Sequence, residues 1–140
     1  MKLTLTTALA TSVAAVGVVA LATSAKARPF PDQSGVCYIF QVDTQELMES
    51  CVISSGYGAG AHYATLHWSD KTTTSINMDN SCDPDAFDTN GFCSYTLNDH
   101  AAEYYERDVF MGVAAMNDPD NMPCYRLAES DVSVCYRFNE

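Results

Sequence analysis

The chain is short of basic residues. Seven Lys and Arg stand against 18 Asp and Glu, for a formal net charge of −11. Phosphate backbones are bound through basic faces, so nucleic acid is excluded as an expected partner, and an anionic membrane surface is disfavoured for the same reason. No C-x-x-C pair occurs, which argues against a thioredoxin-like redox site and a zinc knuckle. No G-x-S-x-G nucleophile elbow occurs either. There is no long amphipathic helical pattern and no repeat of useful length. These gaps remove redox, α/β-hydrolase and helical-bundle readings.

What is present begins with a targeting signal. Lys2 provides a minimal positive segment, Leu3 to Leu21 is uncharged, and Ala25-Lys26-Ala27 has the A-x-A form that signal peptidases accept. Residues 1–27 are expected to be a signal peptide cleaved after Ala27, with cleavage after Ala25 as the neighbouring alternative. The uncharged run approaches the length of a membrane span, but Pro29 and Pro31 follow at once, as at a processed site. No stable membrane anchor is expected after processing. Residues 28–140 are then one domain. Loss of Lys2 and Lys26 leaves Arg28, Lys71, Arg107, Arg126 and Arg137 against all 18 acids.

Six cysteines follow the signal: Cys37, Cys51, Cys82, Cys93, Cys124 and Cys135. An even count with an export signal reads as three disulfides in a secreted or periplasmic protein. Neighbour pairing follows from the strand pattern. Val36 to Val42 and Glu46 to Ile53 flank Asp43-Thr44-Gln45, which sets Cys37 opposite Cys51 within disulfide reach. Around Glu129-Ser130, Cys124 falls opposite Cys135, with Tyr125, Leu127, Val132 and Val134 on the core-facing side. Between these lies a hairpin of His62–Trp68 and Thr72–Met78 about Ser69-Asp70-Lys71. It pairs Leu66 with Thr74 and Ala64 with Ile76, and puts Ala64, Leu66, Trp68, Ile76 and Met78 on one face. Asp79 to Asn98 reads as a loop pinned by Cys82–Cys93. Asp99 to Glu103 reads as one helical turn, and Arg107 to Ala115 as strand. The expected fold is mainly β: a small antiparallel barrel or sandwich of hairpins with at most a short helical turn.

Candidate chemistry is sparse. Gly56-Tyr57-Gly58-Ala59-Gly60-Ala61 fits a permissive G-x-G-x-x-A fingerprint, but a strand pattern follows where a pyrophosphate site needs a helix. A tight turn using glycine's freedom is the favoured reading. His62 and His67 are five apart on a strand and point to opposite faces. His100 has only Glu103 at helical spacing, so no histidine is expected to be catalytic. Between Asp79 and Asp120 ten acids meet one base, Arg107. Oxygen-rich loops suit Ca²⁺, and Asp79, Asp83, Asp85 and Asp88 are the candidate cation or partner surface. No EF-hand register fits: a start at Asp83 puts Asp88, and a start at Asp79 puts Pro84, where glycine is required. A solvated acidic face competes with a Ca²⁺ site of another geometry.

Cys51 to Gly60, Leu66-His67-Trp68-Ser69-Asp70 and Val134-Cys135-Tyr136-Arg137 resemble segments of small exported cyanobacterial proteins of unknown function. That resemblance covers most of the mature chain and implies no activity. In size, export, disulfides and hairpin pattern the chain is also distantly similar to the periplasmic inhibitors of c-type lysozyme. Ser54-Ser55-Gly56 and Tyr63 loosely echo the inhibitor loop motif. Those inhibitors are small β-barrels that bind a basic enzyme, and no binding residue is carried over from them. The expectation is a non-catalytic envelope or extracellular protein that binds a basic protein or a cation through its acidic surface. The alternative is a secreted metal-dependent or carboxylate hydrolase, which titratable groups converging in a deep pocket would mark.

Overall fold

The computed structural model describes residues 27–58 and 60–139. The expected signal peptide lies, but for Ala27, outside the described residues. Among the described residues ten strands form: β1 (Arg28–Pro29), β2 (Gln33–Gln41), β3 (Thr44–Gly58), β4 (Ala61–His67), β5 (Thr73–Asp79), β6 (Ser94–Leu97), β7 (His100–Arg107), β8 (Val113–Ala114), β9 (Met122–Leu127) and β10 (Val132–Phe138). The only helix among the described residues is a 3-10 turn at Pro84–Ala86. The sheet runs β3-β2-β10-β9-β7-β6-β5-β4 and closes through β3–β4 pairing, giving an eight-stranded antiparallel barrel. Closure decides between the barrel and the sandwich. It leaves no edge among these eight strands, apart from the short β1 and β8 added at the margins.

The interior is filled by side chains. Ile53, Leu66, Ile76, Leu97, Tyr125, Val134 and Tyr136 meet there, with Trp68 and the Cys37–Cys51 disulfide. The β4–β5 hairpin has the expected register, with Leu66 opposite Thr74 and Ala64 opposite Ile76. Its indole N–H donates to Thr74 Oγ1 at 2.9 Å, which removes the one polar cost of burying Trp68. In the β9–β10 hairpin Cys124 stands opposite Cys135 and Tyr125 opposite Val134, again as expected.

Four local expectations are corrected. The β2–β3 connection is the two-residue turn Val42-Asp43, not Asp43-Thr44-Gln45, and a bulge separates Ile39 from Phe40. Cys37 therefore faces Glu49, and Cys51 faces Gly35; the disulfide runs diagonally between two inward side chains, with Cα atoms 5.8 Å apart. The expected helical turn after Asn98 is instead a hairpin: Leu97 pairs with His100 across Asn98 (φ 50°) and Asp99 (φ 64°). Two consecutive left-handed residues make a primed turn, which Asn and Asp tolerate, and its twist matches the flanking strands. The loop after Asp79 also contains β6, because Tyr95 and Leu97 find inward slots. Finally, strand structure from Arg107 to Ala115 is broken by a turn at 108–112, leaving only Val113-Ala114 to pair back on β7.

A second core lies outside the barrel wall. Tyr38 and Phe40 of β2, Met122 and Cys124 of β9 and Cys135 of β10 point outward and are buried. Met111 from the 108–121 segment packs against them. The Cys124–Cys135 bridge therefore sits in this outer cluster, and Cys37–Cys51 in the inner one. The opposite wall, β3 to β6, has no such cover. Its outward residues include Ser54, Thr65, Ser75, Asn77 and Thr96, all at least partly exposed.

Candidate functional site at the long-loop end

Successive barrel strands alternate in direction, so their connections fall at two ends. One end has four short turns, at Val42-Asp43, 69–72, Asn98-Asp99 and 128–131. The other carries the β3–β4 turn and the two long connections, 80–93 and 108–121. Function concentrates on long loops held by a rigid scaffold, so this end is the first place to look.

Both loops are built by aspartates. Asp79 accepts from Ser81 N at 2.8 Å and Ser81 Oγ at 2.6 Å; Asp83 accepts from Asp85 N at 3.2 Å. Asp88 accepts from Asn90 N and Phe92 N, at 2.8 and 3.1 Å, and from the Tyr95 hydroxyl. Asp108 accepts from Phe110 N at 2.8 Å and Gly112 N at 3.0 Å, and Asp118 from Asp120 N at 3.0 Å. An Asp side chain bonding the N–H two residues on mimics a backbone turn. Much of the acidity is therefore turn chemistry. Hydrogen bonds from Ser81 hold the Asp79 carboxyl below the usual range. Partial burial raises that of Asp88, but bonds from Tyr95, Phe92 and Asn90 outweigh it and the net shift is downward. Cys82–Cys93 cross-links the first loop, and Cys93 N donates to Asp79 O at 2.8 Å.

The second loop is anchored by the last two residues of β7. Glu106 is 7% exposed. It accepts from Tyr104 Oη at 2.8 Å, Asn121 Nδ2 at 2.9 Å and Asn117 N at 3.1 Å. Burial raises its carboxyl, yet the bonds from Asn121 and Tyr104 leave it below its ordinary value. Arg107, 2% exposed, lies with its guanidinium 4.0 Å over the Phe40 ring. It donates to Met111 O at 2.7 Å, Val42 O at 3.0 Å and Asp43 Oδ1 at 3.2 Å. This clamp explains a Val at φ 57° in the β2–β3 turn: Val42 O is held by Arg107 while Val42 N donates to Asp131 O.

Between the Asp108 cap and the Met111 anchor, Val109 and Phe110 project. Phe110 is 88% exposed and Val113 65%, and Met116 is also exposed. The turn beneath them is closed by Asp108 N to Gly112 O, 2.9 Å, and Met111 N to Asp108 O, 3.0 Å. A large apolar side chain is thus displayed on a fixed turn, in a chain of net charge −11. Sequence reasoning missed Phe110. The signal was there: Val-Phe set between a turn-forming Asp and Gly112 has no alternation partner to bury it.

The expected cation set is placed on one loop but not converged. Asp79, Asp83 and Asp88 each hold their own turn, and Asp85 stands exposed beside them. Among the described residues, no three His, Cys, Asp or Glu side chains lie close enough to hold a metal ion. Asp99 lies at the opposite end, and Glu103 on the barrel wall pairs with Arg126 at 2.8 Å. The histidines are dispersed: His62 packs near Tyr57 and Phe92, His67 Nε2 lies 2.9 Å from Ser54 Oγ, and His100 opens β7. The glycine-rich run is the β3–β4 hairpin, with Gly60 at φ 77°.

No family model, no curated protein and no solved structure matches this chain. What the molecule does must therefore be argued from its own surfaces. Its three disulfides fit an oxidising compartment.

Proposed function

We propose that this is an exported, non-catalytic binding protein that engages a basic protein partner through its long-loop end. The observation that carries the reading is Phe110: a large ring, 88% exposed, on a turn fixed by Asp108 and Arg107. Aromatic anchors on preorganised loops dominate interface energetics, because little ordering entropy is lost on docking. The acidic balance of the chain, 18 Asp and Glu against seven Lys and Arg, would steer a cationic partner. The distant similarity to inhibitors that bind a basic enzyme supports the same class of partner, and the signal-like N-terminus supports export to the periplasm or medium.

The hydrolase alternative lacks a comparable support. Glu106, the buried carboxylate at this end, has both oxygens engaged in holding the 108–121 segment.

The test uses photo-crosslinking from position 110. With Phe110 replaced by a benzophenone amino acid, the producing cells should yield a discrete cross-linked species containing a protein of high pI. Its formation should decline as salt rises. The same partner should be recovered poorly by Phe110→Ser. Recovery unchanged by Phe110→Ser, or a complex indifferent to salt, would refute the reading.

A further inference from the structure

We infer that the outer face of β3 to β6 is a second binding surface, for a neutral polysaccharide, with Tyr63 as its stacking platform. Inward Ile53, Ala64, Leu66, Ile76, Tyr95 and Leu97 fix the alternation, so the intervening residues point outward. Register aligns Gly56, Tyr63, Asn77 and Thr96 in one row across four strands, and Ser54, Thr65 and Ser75 in the next. Rows and strands are spaced by about 6.8 and 4.8 Å respectively, the scale of a hexose ring.

Tyr63 does not stand out from this face. A Cβ on Gly56 would lie 2.6 Å from Tyr63 Oη and 2.8 Å from its Cζ. The ring therefore lies across β3, and glycine is needed beneath it. One side is on the sheet and the other is turned outward. The negative face of such a ring attracts the axial C–H hydrogens of a pyranose, while hydroxyl and amide side chains around it both donate and accept.

The choice of occupant follows from charge and topology. Between Glu46 and the Asp79 rim this face holds no Asp, Glu, Lys or Arg, in a chain with 18 acids. A basic partner finds no carboxylate here, and an anionic one is repelled by the net −11. Each of the four strands is hydrogen-bonded on both sides, so a peptide cannot add as a strand. Val52, 44% exposed, and Met48, 56% exposed, stand four residues apart on β3 as the large apolar side chains among these outward positions, too little for an apolar partner. A neutral polyol is what remains. This surface is independent of Phe110.

Affinity electrophoresis in native gels containing hydroxyethyl cellulose or amylopectin tests the proposal. At least one of these neutral glucans should retard the protein, while anionic carboxymethyl cellulose should not. Tyr63→Ala should weaken retention about tenfold, the fold-change that corresponds to one stacked ring. Thr65→Asp, which leaves the ring and its glycine in place, should also weaken it, and Phe110→Ser should not. Melting curves establish that each variant is folded. Absence of retardation in both neutral glucans overturns the proposal, as does retardation that survives both wall substitutions. So does a concentration-dependent dimer in sedimentation that Tyr63→Ala abolishes, because the face would then serve a second copy.

Discussion

The two walls of the barrel share one backbone plan and use their outer faces in opposite ways. On β2, β10, β9 and β7 the outward residues include Tyr38, Phe40, Cys135, Cys124 and Tyr105, which are covered by the 108–112 turn and by Arg107. On β3 to β6 they are mostly Ser, Thr and Asn, with Tyr63, Val52 and Met48, and these side chains are at least partly exposed. Both walls contribute inward side chains to the same inner cluster. The difference lies in which wall owns a long connection: 108–121 folds back over its own strands, whereas 80–93 is closed on itself by Cys82–Cys93. A sheet face becomes a second core only where chain is available to seal it. A face without cover is left polar, and so free for a ligand.

The comparison breaks most easily at Arg107. Replacing it with Ala leaves Val42 O and Met111 O without their donor and opens a space over Phe40. The exposed Asp43 end of the ion pair contributes little. A loss of about 3 kcal/mol is expected in urea unfolding, against changes within about 0.5 kcal/mol for Thr65→Ala on the open wall. Comparable losses at the two sites would mean that the outer cluster is not a core at all.

Removing the outer bridge by Cys124→Ala with Cys135→Ala should cost nearly as much, about 3 kcal/mol. The double change at Cys82 and Cys93 should instead act locally. Hydrogen exchange should rise within 80–93 and stay unchanged in the 122–138 hairpin, since that loop adds only the partly buried Phe92 ring to the inner cluster and nothing to the outer one.

A smaller effect is expected at Glu106. Its folded carboxyl lies below the ordinary value of 4.5. Such a group stabilises the fold above its unfolded pKa, and that contribution is lost as pH falls through the lower folded value. Melting temperature should therefore drop on acidification below about pH 4.5. Glu106→Gln should be destabilised by about 1–2 kcal/mol at neutral pH and show a shallower acid dependence. An acid limb identical to that of the unmodified protein would remove Glu106 from the account of how the 108–121 segment is held. Asp88 contributes with the same sign, so the limb should flatten without vanishing.

The smallest stability effect belongs to the residue given the largest role in binding. Phe110→Ser should change unfolding by no more than about 0.5 kcal/mol, or raise solubility, because its ring contacts water. A marked destabilisation would show that Phe110 packs against the protein in solution and is not displayed for a partner.

Much of this was legible in the residues. Ala64, Leu66, Trp68, Ile76 and Met78 alternate cleanly, so the β4–β5 register and its inward face could be read directly. Cys124 and Cys135 bracket a polar tetrapeptide between alternating strands, and their pairing followed. The failures have physical causes. The Cys37 register slipped because a bulge at Ile39/Phe40 leaves no local mark. Asn98-Asp99 was read as a helix cap because the same side chains that cap helices also tolerate the left-handed turn. The acids were read as a field when most of those in the long loops are turn caps, a role visible only once each Asp is seen bonding the N–H two residues on.

By itself the sequence determined the β class, the hairpins with strict alternation and the net negative charge, because each rests on local periodicity or on composition. It left open whether Tyr38, Phe40 and Cys124 face a core or water. In a strand with apolar residues on both faces, periodicity cannot say which side is covered. Only the tertiary structure decided that. Barrel closure sets one face inside, and the path of 108–121 then determines which outer face is sealed and which stays open.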